Sequence, residues 1–258
     1  MTAPAPAAAP DRTAPTLPAR LLGAAGELLI TLGVLLGLFV VWQLWWTDVV
    51  AGRHQQEVLQ TLDWAYQDDL RPAGDDEPAP APAPVEEPVG PPPVLEEPTE
   101  EGATFATLRV PRWGSDYVRT ISHGTSRPVV LDVLGIGHYE GTAMPGKVGN
   151  FAVAGHRTTY NKPFNRVEEL EVGDPLVVQT PDTWYVYRVT STQIVLPRQV
   201  EVIAPVPDQP GATPTTAMMT LTTCHPMFSA QERFIVHAEL DHWLPVQDGT
   251  PAEITGGA

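Results

Sequence analysis

The stretch Met218-Met219-Thr220-Leu221-Thr222-Thr223-Cys224-His225-Pro226 decides how this chain is read. Its first four residues are apolar and β-prone, and they run into the only cysteine among 258 residues. After a polar turn (Ser229-Ala230-Gln231-Glu232), Arg233-Phe234-Ile235-Val236-His237-Ala238-Glu239-Leu240 alternates with the period of two of a half-buried strand. The cysteine therefore ends one expected strand and an arginine opens the next. A thiol delivered to a strand end, opposite a fixed cation, is placed for thiolate chemistry.

Working outward, further short runs rich in β-branched and aromatic residues lie at 105–110, 129–133, 150–154, 175–179 and 184–196. Together with 217–223 and 234–240 they are divided by turn signals such as Val172-Gly173-Asp174-Pro175. This pattern predicts an all-β barrel or sandwich over 105–244. Only 165–170 reads as helical, for one or two turns, and 245–258 reads as a disordered tail.

The first hundred residues are of another kind. Residues 1–20 are rich in Ala, Pro and Thr and read as a disordered, cytoplasmic tail. Residues 21–46 read as a transmembrane anchor: the 19 residues 28–46 carry no charge, enough to cross about 30 Å of hydrocarbon. Trp42, Trp45 and Trp46 cluster where an interfacial aromatic belt would lie. A cleaved signal peptide competes with this reading, but the apolar run is longer than a usual h-region and no small-residue cleavage site follows the tryptophans. Arg12 and Arg20 before the span, against Arg53 after it, bias the N-terminus inward. The expectation is a single-pass protein of the cell membrane with an extracellular catalytic domain. Residues 47–70 read as a juxtamembrane helix. Residues 71–104 read as a linker, with ten prolines among residues 71–100 interspersed with Glu-Glu pairs. An extended, self-repelling spacer of this kind would hold a domain up to roughly 100 Å from its anchor.

A net charge of −16 argues against nucleic-acid binding. A single cysteine rules out an intramolecular disulfide framework. No phosphate loop or dinucleotide fingerprint is present, and the histidines are too dispersed to show a metal-ligand spacing, so no cofactor and no metal is expected.

An ordinary thiol titrates near pH 8.5, so a nucleophilic cysteine needs a base or a nearby cation. Of seven histidines, His54, His123 and His242 fall in the stalk, a turn and a strand tail. His237 lies inside an alternating strand and reads as a packed residue. His225 follows the cysteine directly and would face the other way. His138 sits in a Gly-rich loop. His156 is the strongest candidate, because it ends the run Asn150-Phe151-Ala152-Val153-Ala154 after Gly155, which permits close backbone approach.

The order His156 in Ala-Gly-His-Arg, Cys224 in Thr-Leu-Thr-Thr-Cys, and Arg233 nine positions on resembles the sortases. Residues 137–146 and 151–160 look most similar to the actinobacterial class E members. The resemblance implies a closed eight-stranded β-barrel and a membrane-anchored cysteine transpeptidase. Such an enzyme cleaves a sorting signal on surface proteins between Thr and Gly and joins the threonine carbonyl to a cell-wall amine. For class E the implied signal is Leu-Ala-x-Thr-Gly rather than Leu-Pro-x-Thr-Gly, and the implied acceptor is a peptidoglycan precursor or a pilin lysine. It also implies roles for Cys224 as nucleophile, His156 as acid and base, and Arg233 as oxyanion donor. Tyr139 resembles the residue that favours Ala in the signal, and Thr223 is a plausible further donor to substrate. Two alternatives stay open: an L,D-transpeptidase, echoed by His123-Gly124-Thr125, and a non-catalytic envelope adhesin. The first wants an arginine two residues after the cysteine, where Pro226 stands. The second leaves a lone exported thiol unexplained.

Overall fold

The computed structural model describes residues 17–65 and 90–255. The expected tail over residues 1–16, the expected linker over 71–89, the last residues of the expected juxtamembrane helix and residues 256–258 lie outside the described residues. The chain divides into two compact units, residues 1–45 and 46–258.

One helix, α1 (Leu17–Thr61), accounts for the described part of the first unit and opens the second. Its apolar side chains do not form a core: Leu28, Ile30, Phe39 and Val41 are each more than half exposed. Among the described residues it is the one helix long and apolar enough to cross a membrane.

Eight strands form the second unit: β1 (Thr104–Arg109), β2 (Val118–His123), β3 (Ile136–His138), β4 (Gly149–Gly155), β5 (Pro175–Gln179), β6 (Thr183–Val195), β7 (Ala217–His225) and β8 (Glu232–Pro245). They close into a barrel in the order β1-β2-β3-β4-β7-β8-β6-β5, with antiparallel β1–β5 pairing completing the ring. Closure leaves no strand edge for another chain to pair with. Two neighbour pairs are parallel, β2–β3 and β4–β7. Alternate residues point inward: Phe151 and Val153 from β4, Met219 and Leu221 from β7, and Val236 and Ala238 from β8 belong to one buried core. The intervening positions, including Thr220, Thr222 and Cys224, therefore share the outer face of the barrel.

The structure departs from the sequence reading in several places. Residues 127–131 form a helical turn (Arg127–Leu131), not a strand. Pro128 stands in its first turn, and the carbonyl of Ser126 accepts from the N–H groups of Val130 and Leu131. Parallel strands need a crossover, and this turn lies in the one joining β2 to β3, so topology overrides the β propensity of Val-Val-Leu. Strands β2 and β3 were not legible, because β2 is largely polar and β3 is three residues long. His123 and His138 accordingly end strands rather than lying in a turn and a loop. Residues 165–170 hold only a 3-10 turn (Val167–Glu169).

Two segments expected to be free of the barrel are seated on it. Residues 90–103 run along its surface: the Tyr185 hydroxyl donates to the Pro93 carbonyl at 2.6 Å, Trp243 Nε1–H donates to the Gly90 carbonyl at 3.1 Å, and Leu95 packs against the core. After β8, a 3-10 turn (Val246–Asp248) and helix α2 (Ala252–Thr255) replace an expected disordered tail. Ile254 there covers the cluster Val177, Trp184, Val186 and Leu244. Within the second unit, Ala51, Gln55 and Ala65 are buried. Asn161 donates through its backbone N–H to Asp48 Oδ1 at 3.1 Å and through Nδ2 to Gln55 Oε1 at 3.0 Å.

Candidate active site

Strand pairing alone brings the three singled-out residues to one end of the barrel. Cys224 on β7 stands directly opposite Arg233 on β8. Residues paired across an antiparallel ladder share a face, with Cβ atoms about 5 Å apart. On the other side of β7, Ala154 of β4 pairs with Thr222 in parallel. His156 lies two residues past Ala154, as Cys224 lies two past Thr222. The three residues thus come from the ends of neighbouring strands, and all three are half-buried.

His156 and Arg233 are held by neighbouring groups. His156 Nε2 is 2.7 Å from Asp132 Oδ1, and the ring lies against that of Tyr160, with centroids 5.1 Å apart. Asp132 ends the crossover turn and also accepts from Arg127 at 3.3 and 3.4 Å. Arg233 donates through Nη1 to the carbonyls of Ala230 and Glu232, at 3.0 and 2.9 Å. Among the described residues no hydrogen bond engages its Nε or Nη2. Gly155 is needed for packing: a Cβ there would lie 2.8 Å from the Phe164 ring. That ring would have to move before β4 could deliver His156 where it does.

Thr223 and Tyr139 take different places. Thr223 is buried and donates its hydroxyl proton to the Gly155 carbonyl at 2.7 Å. It ties the β4 end to the β7 end and is not an open donor to a substrate. Tyr139 follows β3 and is half-buried, with its hydroxyl 3.0 Å from Thr222 Oγ1, two residues before Cys224 on the same face.

Two further residues escaped the sequence reading. Asp132 carried no signal, since its stretch read as a strand. Arg157 is 2 % exposed and stands between the loop after His156 and the cysteine. Its Nε donates to the Asn165 carbonyl at 3.2 Å, its Nη1 to the Cys224 carbonyl at 3.4 Å, and its Nη2 pairs with Glu168 at 2.9 Å. Its place in Ala-Gly-His-Arg was the only hint.

Cys, His and Arg at the ends of three adjacent strands of a closed barrel is an arrangement suited to cysteine acyl transfer. Residues 108–241 match the Sortase domain family model, and the chain belongs to the sortase family of cysteine transpeptidases. It is 39 % identical over 236 residues to sortase SrtE1 of Streptomyces coelicolor, covering 88 % of this chain and 59 % of that protein. It is 35 % identical to SrtE2 of the same organism, covering 86 % of this chain and 83 % of the relative. The solved structure of S. coelicolor sortase E1 with a tripeptide in the active site superposes with a TM-score of 0.55 at 40 % identity, over 59 % of this chain and 97 % of that one. These similarities place the chain with the actinobacterial class E sortases. The L,D-transpeptidase and adhesin readings fall away.

Proposed function

We propose that Cys224, His156 and Arg233 carry the transpeptidation, on a Leu-Ala-x-Thr-Gly-like sorting signal, and that α1 anchors the enzyme in the cell membrane with the barrel outside. The pairing of Cys224 with Arg233, beside the strand end that bears His156, is the observation that supports this most. The Cys224 thiolate attacks the threonyl carbonyl carbon, and the resulting oxyanion accepts from the Arg233 guanidinium, a cation that does not titrate in the working range. The Thr–Gly C–N bond breaks, the glycine amine leaves with a proton from the His156 imidazolium, and the threonyl group remains as a thioester on Cys224. An incoming envelope amine, of a peptidoglycan precursor or a pilin lysine, loses a proton to neutral His156 and attacks the thioester. The thiolate is released and an amide is formed. Asp132 on Nε2 holds the ring so that Nδ1 is the nitrogen that exchanges protons. Tyr139, tied to Thr222, is the residue in position to select Ala over Pro in the signal.

The test uses the full chain in detergent with quenched Leu-Ala-x-Thr-Gly and Leu-Pro-x-Thr-Gly peptides and a glycine amine as acceptor. Cleavage at Thr–Gly, faster for Ala than for Pro, is expected. It should vanish in Cys224→Ala while the melting temperature holds, because the thiol is at the surface end of a strand. Cleavage that survives Cys224→Ala would sink the mechanism, and preference for Pro would sink the signal assignment.

A further inference from the structure

Away from the cysteine, three side chains distant in sequence converge on one point. His123 ends β2, His138 ends β3, and Glu97 comes from the segment that runs along the barrel before β1. Glu97 Oε1 is 3.8 Å from His123 Nδ1 and 3.9 Å from His138 Nδ1. The two histidines are 6 % and 0 % exposed, and neither Nδ1 has a hydrogen-bond partner among the described residues. Buried polar atoms without a partner are rare, so two of them facing one carboxylate call for an explanation.

The protonation pattern supplies it. His138 Nε2 faces the Ala143 carbonyl at 3.2 Å, a pure acceptor, so this nitrogen carries the proton. The Thr142 hydroxyl, 2.9 Å from the same nitrogen, already donates to the Tyr139 carbonyl. In the neutral ring this leaves Nδ1 a lone pair, 3.9 Å from a carboxylate oxygen: two acceptors with nothing to share. A cation between them removes the conflict. A histidine that gives one ring N–H to a backbone carbonyl and turns the other nitrogen inward has the arrangement of a metal ligand.

We infer that His123 Nδ1, His138 Nδ1 and the Glu97 carboxylate form a binding site for a divalent metal ion of the zinc type. The three donor groups offer atoms all within 4.8 Å of one another. Donors on a tetrahedral zinc stand about 3.4 Å apart, and the two Glu97–histidine separations are 3.8 and 3.9 Å. Two imidazoles and one carboxylate suit zinc better than calcium or magnesium, which take oxygen ligands. Glu97 Oε1 also accepts the Gly141 N–H at 2.8 Å, so the ion would clamp the segment before β1 to the loop after β3 that carries Tyr139. A second cluster, Asp241, His242 and Glu253, does not make the same case. Arg188 already sits between its two carboxylates, at 3.0 Å from Asp241 and in contact with Glu253.

The proposal stands apart from the signal assignment, and its test does not read activity. Full chain carrying Cys224→Ala, so that the thiol cannot bind metal, is stripped with chelator and titrated with Zn2+ by calorimetry and with Co2+ by absorption. One equivalent is expected, with Co2+ bands that Zn2+ displaces and a melting temperature raised by the metal. Glu97→Gln and His123→Gln should each weaken binding at least tenfold, while His242→Ala should leave it unchanged. Glu97 is exposed, so its variant folds even if substitution of a buried histidine does not. No uptake, or uptake unaltered by Glu97→Gln, overturns the site; loss with His242→Ala instead would assign the metal to the other cluster.

Discussion

Asp132 Oδ1, 2.7 Å from His156 Nε2, is the contact that would orient His156 in the acid and base role we propose for it. Without a fixed partner the imidazole can present either nitrogen, and proton transfer is productive from only one. Asp132→Asn keeps the size and removes the charge. General acid–base assistance contributes about 10²–10⁴-fold, so a misoriented ring should lower kcat by about tenfold or more. KM should move little and the pH–rate profile should change, with Asp132→Glu restoring part of the rate. A fall in KM and kcat together with a lowered melting temperature would mean that Asp132 only holds the crossover turn. Arg233 and Cys224 need no such search: their spacing across a polar turn makes them a cross-strand pair, which is why they were legible. Thr223 illustrates the same scale. It neighbours the cysteine in sequence, but alternation turns it to the opposite face, where its hydroxyl is taken by Gly155.

Among the elements, β4, β7 and β8 end at the proposed catalytic residues and, with β6, hold a polar chain further along. Gln193 Nε2 donates to His237 Nε2 at 3.0 Å, His237 Nδ1 faces Thr220 Oγ1 at 2.9 Å, and Thr220 donates to Asn150 Oδ1 at 2.8 Å. Every link is satisfied only with a neutral imidazole, since Nε2 must accept. Burial lowers the His237 pKa below its ordinary 6.5, outweighing the opposing pull of Asp208. The folded protein then binds fewer protons than the unfolded chain as pH falls through that range, so stability is present above it and is lost below. Melting temperatures measured from pH 7.5 to 5 should fall, and should fall less steeply in His237→Gln. Equal slopes would show that another group sets the acid limit. The sequence reading of His237 as a packed strand residue survives; the network it belongs to does not show in a single strand.

On the scale of the whole molecule, the barrel does not begin where its first strand does. Leu95 on the core, the Tyr185–Pro93 and Trp243–Gly90 hydrogen bonds and the Glu97–Gly141 contact all precede β1. Half-burying one leucine and making three hydrogen bonds amounts to about 2–4 kcal/mol. A chain starting at residue 105 should therefore melt several degrees below one starting at residue 90, when the two are unfolded side by side. Equal stability would mean that the segment rests on the barrel without contributing to it. Composition could not reveal this, because Pro-rich, Glu-rich sequence reads as a spacer whether or not a surface receives it.

The apolar helix, the all-β domain, and the cysteine, histidine and arginine at three strand ends are legible in the sequence. Those follow from runs and alternation, which are local, and from a motif short enough to lie within one hairpin. Their partners come from the fold. Asp132 reaches His156 because two parallel strands need a crossover. Arg157 reaches the Cys224 carbonyl because a loop folds back over the barrel end. Glu97, His123 and His138 meet because a closed barrel places β2 beside β3 and lays the preceding segment across them. Contacts between residues tens of positions apart depend on which strands are neighbours, and strand order is set by the packing of the whole chain.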